Sequence, residues 1–335
     1  RCMMSTANMG PIQKETYSND KFKNLRQDML DGSWDEIGCS TCFNKERQGQ
    51  ISQRLKWLKN QNHYLDDDGI YTQNLNITRN KIYHLYMNFS NICNFKCRMC
   101  GPHFSNAWIP DYKKLTQNVE HQVPSVPPKQ QIDVDSFLDE YGNELADLRQ
   151  IWITGGEPFI DDTLFDFFAK LPAYTDLKNI KVVVNTNASR LDISKLKKLK
   201  MLRSIAINVS VDSTEELYTY MRGYNFTFEQ LNEKVDQLKE LQLEQDNITI
   251  GINGAFQIYN ILDIENFWLW GKEISNNKKG NWVEHRVLSW PHQLQARHAA
   301  EKIKKKSKKI ITALIEQDPN YSHNHYLVEI LKELE

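Results

Sequence analysis

The stretch Asn91-Ile92-Cys93-Asn94-Phe95-Lys96-Cys97-Arg98-Met99-Cys100-Gly101 packs three cysteines into eight residues, directly after Ile82 to Phe89, a short apolar and aromatic run that reads as a β-strand. The same arrangement, a strand running into a loop of small or polar residues, recurs downstream. Ile151 to Thr154 leads into Gly155-Gly156-Glu157-Pro158, Val182 to Val184 into Asn185-Thr186-Asn187, and Ile205 to Val211 into Asp212-Ser213. Ile248 to Phe256 and Trp282 to Leu288 supply two more strands, about six in all. Between them lie amphipathic segments. Leu164, Phe165, Phe167, Phe168 and Leu171 mark one helix face; Leu231, Val235, Leu238 and Leu241 mark another, opened by a Thr227-x2-Gln230 capping box. Strand and helix in alternation predict an α/β chain with a parallel sheet, and they place these loops together at the carboxyl ends of the strands.

Either side of this core the pattern changes. Residues 1–80 carry two helical faces, Phe22, Leu25, Met29 and Leu30 closed by Asp31-Gly32, and Ile51, Leu55 and Leu58, on either side of Gly38-Cys39-Ser40-Thr41-Cys42. They read as a small Cys-bearing module. The α/β unit is expected over 81–290 and a helical segment over 291–335, with Pro124, Pro127 and Pro128 marking a loop between Gln117 and Gln131. The basic run Lys302 to Lys309 overlies Ile303, Ile310, Ile311 and Leu314 at helical spacing, so it reads as a solvated helix face, and His323 and His325 read as surface residues.

Composition narrows the function classes. With 335 residues, 40% of them hydrophobic, the chain can bury a sizeable core. Forty-two Lys and Arg against 43 Asp and Glu leave no global field to gather nucleic acid or anionic membrane. No apolar run is long enough to cross a bilayer. Six cysteines are too few for a disulfide scaffold and five of them are clustered, which implies metal ligation in a reducing, cytoplasmic setting.

Three thiolates on one loop can hold three corners of a cubane iron-sulfur cluster, leaving the fourth iron open to a substrate or cofactor. Zinc is the alternative, with His103 as its fourth ligand; that version of the chain would be an interaction or nucleic-acid-binding module.

The Cys93-x3-Cys97-x2-Cys100 spacing resembles the radical S-adenosylmethionine (SAM) superfamily, with Met99 where an aromatic residue is common. Gly155-Gly156-Glu157-Pro158 resembles that family's Gly-Gly-Glu-Pro motif. Thr186-Asn187-Ala188 resembles its Thr-Asn-Gly, and Ser210-Val211-Asp212-Ser213 with Tyr220-Met221-Arg222-Gly223 resembles its Ser-x-Asp-Gly and Arg-Gly segments. The resemblance implies a partial (βα)6 barrel, a [4Fe-4S] cluster on Cys93, Cys97 and Cys100, and SAM cleaved to a 5′-deoxyadenosyl radical that abstracts hydrogen from a substrate. It further implies that Gly155, Gly156, Glu157 and Pro158 contact the SAM amino group. Ser210 and Arg222 would fix its carboxylate, Asn187 would lie near the ribose, and Asp212 would also belong to the cofactor-binding set.

Cys39-x2-Cys42, with Cys2 upstream and Glu46, Gly49, Ser52 and Arg54 following, resembles the auxiliary-cluster segment of twitch- and SPASM-type members of the family. That implies an auxiliary [4Fe-4S] cluster, with zinc again the alternative. The expected partners are a flavodoxin- or ferredoxin-type electron donor and, as substrate, first a ribosomally made peptide, second a nucleotide or other small metabolite.

Overall fold

Six parallel strands stand side by side in the order of the chain: β1 (His84–Asn88), β2 (Gln150–Thr154), β3 (Lys181–Thr186), β4 (Ser204–Ser210), β5 (Ile248–Phe256) and β6 (Trp282–Val287). A parallel neighbour can be reached only by a crossover, and each crossover here contains helix. Every step moves on to the next strand, so the sheet advances in one direction as a barrel does, and it stays open because β1 and β6 are its two edges. This is the expected partial (βα)6 architecture. The computed structural model describes residues 82–117, 131–223 and 225–335, the helix α1 (Ser40–Arg47), and single positions between 20 and 55.

Alternation along the strands separates two faces. One carries Ile151, Ile153, Val182, Val184, Ile205, Ile207, Val209, Ile250, Ile252 and Val283, all buried beneath the crossover helices. The other, concave face carries Tyr86, Trp152, Asn185, Asn208, Asn253, Trp282 and Arg286, a polar and aromatic set unlike a closed barrel's packed interior.

The crossover helices are α2 (Ile109–Gln117) and α3 (Val134–Tyr141) before β2, α4 (Thr163–Lys170), α5 (Ile193–Lys197), α6 (Glu215–Arg222) and α7 (Phe228–Glu244) before β5, and α8 (Ile264–Asn277). Their starts are chemically marked. Asp133 and Asp192 accept from backbone N–H groups of the first turn, and Thr227 and Gln230 form the capping box read from the sequence. Phe167 of α4 is fully buried and meets the rings of Phe89, Phe137 and Phe168.

Residues 82–335 form one compact unit and residues 1–81 another. The C-terminal pair α9 (Glu301–Gln317) and α10 (Asn324–Glu333) belongs to the first of these, because Ile311, Leu314, Leu327 and Ile330 join its single core cluster. In the smaller unit, α1 forms where no helix is expected from the sequence. The helical faces read around Phe22, Leu25, Met29 and Leu30, and around Ile51 and Leu58, lie outside the described residues, as do Pro124, Pro127 and Pro128. Among the described residues no helix is long and apolar enough to cross a membrane.

Truncating Phe167 removes a side chain that touches three aromatic neighbours, so Phe167→Ala should destabilise the 82–335 unit by about 3–5 kcal/mol. A fall in melting temperature with a retained far-ultraviolet dichroism spectrum is the expected readout.

Candidate functional site

The cysteine loop leaves the end of β1 and is pinned by polar contacts from its own return segment. Asn106 Oδ1 accepts from Cys93 N (3.0 Å), Ser105 Oγ donates to Phe95 O (2.6 Å), and the Trp108 indole donates to Cys97 O (3.1 Å). The end of α6 holds its other side. Met221 O accepts from Arg98 N (2.9 Å), Tyr220 O from Arg98 Nε (2.8 Å) with the guanidinium 3.7 Å over the Tyr220 ring, and Arg222 O from the Cys97 thiol (3.1 Å). From the end of β3, Asn187 Nδ2 reaches Asn94 Oδ1 at 3.2 Å and Cys93 Sγ at 3.8 Å. The loop segments after β1, β3 and β4 thus converge on the three thiols, as the sequence pattern anticipates.

The segment after β2 lies directly against the loop. Gly156 N donates to Ser90 O (2.7 Å) and Glu157 N to Ile92 O (2.8 Å). A Cβ on Gly156 would collide with the Ile92 carbonyl, and Gly155, at φ +117°, would drive one into Ser90 O and the Asn88 side chain. Paired glycines are therefore required here by the approach of the cysteine loop, a closer reason than room for a ligand.

Glu157 is buried and bridges β2 to β3, its Oε1 accepting from Thr186 Oγ1 (2.6 Å) and Phe159 N (3.1 Å), its Oε2 from Asn187 N (2.7 Å). Burial raises its pKa, against the lowering effect of these three bonds. Ala188, where the family pattern has glycine, adopts φ +64°, the left-handed turn that glycine would take without strain.

Asp212 and Arg222 form a buried ion pair, Nη1 to Oδ2 at 2.7 Å, and Asp212 Oδ1 also accepts from Ala255 N (2.7 Å), tying β4 to β5. The resemblance sets Arg222 and Ser210 at a cofactor carboxylate; in the structure Arg222 is paired with the protein's own Asp212 carboxylate, and Ser210 is half-buried at the end of β4. Burial works to lower the Arg222 pKa, but negative charge on Cys97, Asp212 and Tyr218 outweighs it and raises the pKa. Burial also pushes the Cys93 thiol up to about 11 and Cys97 up to about 12 and raises Cys100, while Arg222 lowers all three.

This donor set fits an iron-sulfur cluster. Three thiols of one loop sit within each other's electrostatic reach beside a buried guanidinium that offsets anionic charge. Just beyond β4, at the end of α6 and just beyond β5, Ser213 Oγ, Arg222 Nε and both amide atoms of Gln257 are buried with no partner, which is unmet hydrogen-bonding capacity suited to a polar cofactor. Among the described residues no three His, Cys, Asp or Glu side chains converge as a single ion needs, and His103 is exposed. In a cubane each thiolate takes its own iron, so convergence on one point is not required.

In the smaller unit Cys42 is buried on α1, whereas Cys2, Cys39 and Arg54 lie outside the described residues. The Glu46-x2-Gly49-x2-Ser52 spacing has a local structural use. Gly49, at φ +70°, donates to Glu46 O (3.0 Å), and Ser52 Oγ hydrogen-bonds the Glu46 carboxylate and accepts from Leu55 N (3.1 Å).

The family model of the radical SAM superfamily matches residues 87–256, about half of the chain, from β1 through β5. The chain belongs to the radical SAM superfamily. Among curated proteins it is similar to the GTP 3′,8-cyclase of Aliarcobacter butzleri (strain RM4018), 26% identical over 165 residues, covering 49% of this chain and 45% of that one. The GTP 3′,8-cyclase of Vibrio parahaemolyticus matches at 26% over 171 residues, covering 51% and 46%. The chain thus spans less than half the length of these relatives. Of solved structures, native anSMEcpe with bound AdoMet aligns with TM-score 0.49 and 16% identity over 70% of this chain and 61% of that one. Streptococcus suis SuiB bound to S-adenosylmethionine aligns with TM-score 0.44 and 16% identity over 89% and 64%.

Within this radical SAM fold, several site residues carry no motif and escape a reading of the sequence. Glu284 is buried on β6 and accepts from Arg286 and from Tyr326 of α10; only the register of β6 against β5 places these groups on the concave face. Gln257 and Asn260, just beyond β5, are fully buried, and Asn260 Nδ2 donates to Ala255 O (2.9 Å).

Two outcomes test this geometry. Gly156→Ala should displace the cysteine loop and cut the iron bound after anaerobic reconstitution, with the dichroism spectrum of the sheet and helices retained. In the iron-free chain, thiols whose pKa is raised from 9.0 to about 11 and about 12 keep their protons in the folded state while the unfolded chain loses them. Their stabilising contribution is therefore complete below pH 9 and falls as pH rises, by roughly 1 kcal/mol for each of Cys93 and Cys97 at pH 10. Melting temperatures at pH 8 and pH 10 should show this loss, and it should shrink when all three thiols are replaced by alanine.

Proposed function

We propose that this radical SAM enzyme reductively cleaves S-adenosylmethionine at a [4Fe-4S] cluster held by Cys93, Cys97 and Cys100, and that the resulting 5′-deoxyadenosyl radical abstracts hydrogen from a substrate bound over the concave face. The observation that carries the reading is the convergence of the segments after β2, β3 and β4 on the β1 loop that carries three thiols, Cys97 buried and Cys93 and Cys100 half-buried, beside the buried Arg222 guanidinium. Cys93, Cys97 and Cys100 would hold the cluster, which when bound would supply the electron for reductive cleavage of the sulfonium bond to C5′. The chain's own residues orient and exclude. The Gly155 to Pro158 backbone would face the SAM amino group, and Arg222, held by Asp212, would face its carboxylate together with Ser210. Asn187 would lie toward the ribose, and the surrounding burial would keep water and stray hydrogen donors out.

A flavodoxin- or ferredoxin-type donor supplies the electron, and a reducing cytoplasm keeps the thiols available. The substrate is proposed as a ribosomally made peptide, supported by the resemblance of the Cys39-x2-Cys42 segment to auxiliary-cluster modules of twitch and SPASM enzymes; that module is read as residues 1–80. A second reading, a nucleotide substrate, is favoured by curated relatives named GTP 3′,8-cyclase.

Anaerobically reconstituted protein, reduced with dithionite and given SAM, should be brown and release 5′-deoxyadenosine with methionine, and Cys97→Ala should release neither. A colourless, zinc-loaded chain would sink the proposal. Supplying GTP in one arm and a short peptide encoded beside the gene in the other, and following the mass of each, separates the two substrate classes.

A further inference from the structure

On the concave face at the carboxyl end of β6, an exposed cation is held in place by a buried anion. Arg286 has a side chain 59% exposed, and its Nη2 donates to Glu284 Oε2 at 2.8 Å, where the Glu284 side chain is only 8% exposed. The Tyr326 hydroxyl of α10 donates to the same oxygen, also at 2.8 Å. A carboxylate buried at this depth needs both partners. The Glu284 bond and a second hydrogen bond, to the Tyr326 hydroxyl, use one side of the guanidinium fork, so the two partners fix Arg286 while its exposed side stays open.

Its position is defined by the sheet. Trp282, Glu284 and Arg286 alternate with Val283 and His285, which are buried against the helices, so Arg286 lies on the concave side. Its register partner is Ala255, whose N–H is bound by Asp212, the carboxylate that holds Arg222 beside Cys97. Beyond β6, the Trp290 ring lies against Gly101, which follows Cys100. Arg286 thus sits one strand from the residues around the thiols, on a segment that returns to the cysteine loop.

We propose that Arg286, braced by Glu284 and Tyr326, is an anion-binding subsite that anchors a carboxylate or phosphate group of the substrate at the barrel mouth. The word substrate rests on the SAM-cleaving reading above; the anion site itself does not. A planar fork with free donors takes either oxyanion in bidentate fashion, which a lysine does not.

The test measures binding to the reconstituted full chain by calorimetry, with four probes: GTP against guanosine, and a glutamate-bearing pentapeptide against its glutamine counterpart. One anionic probe should bind about tenfold or more tightly than its neutral partner. In R286Q that preference should vanish while melting temperature and iron content stay unchanged, and the probe that shows it identifies phosphate or carboxylate as the group. R286K, which keeps the charge and loses the fork, should retain part of the preference and serves if R286Q does not fold. No anionic preference in the parent chain, or a preference intact in R286Q or undiminished in R286K, overturns the proposal. Because the readout is binding, a chain that makes no 5′-deoxyadenosine yet shows an Arg286-dependent preference removes the catalytic reading alone.

Discussion

Two backbone hydrogen bonds, Gly156 N to Ser90 O and Glu157 N to Ile92 O, fasten the end of β2 to the loop that carries the thiols. They require the two chains to run almost in contact, and only residues without a Cβ allow that at positions 155 and 156. Glu157 then carries the constraint sideways, since its carboxylate is bound by Thr186 and by the backbone of Asn187, whose side chain in turn faces Cys93. The thiols are positioned by a chain of such contacts across neighbouring strands rather than by the loop alone. An open parallel sheet suits this, because every strand delivers its carboxyl end to the same rim.

The same contacts explain how charge is tolerated in so buried a place. Asp212 and Arg222 would each be expensive to bury alone, and as a pair they are held further by the Ala255 amide. Among the described residues Arg222 is the buried cation within electrostatic reach of all three thiols, so it stabilises their ionised, metal-binding forms against the burial that opposes ionisation. Replacing hydration with fixed groups in this way prepares the site for an anionic cofactor before any is present.

The sheet was legible in the sequence because each strand has to fill its outer face with apolar residues, and Ile205 to Val211 and Ile248 to Phe256 do so without interruption. The rim was legible wherever a loop carried an unusual composition, as at Cys93 to Cys100 and Gly155 to Pro158. What could not be read were relationships between distant segments. Arg222 is as consistent with sharing a ligand with Ser210 as with binding Asp212, and only the fold of α6 back onto β4 decides between them. Helix α1 escaped notice because Ser40, Thr41 and Cys42 favour no helix, and the turn at Gly49 that follows it is fixed by Glu46 and Ser52 acting together.

Most of the polar residues that resemble the family's motifs turn out to be braces: Glu157 joins β2 to β3, Asp212 joins β4 to β5, and Asn187 steadies Asn94. A residue already satisfied by the protein has little left to offer a ligand. Unspent capacity remains on Arg222 Nε and Ser213 Oγ within those motifs, on the Gln257 amide outside them, and on the exposed side of the Arg286 fork. Motif residues build the rim and hold it rigid. Groups whose hydrogen bonds the fold leaves unmade add capacity beside them, and outside the motifs those are set by register and packing.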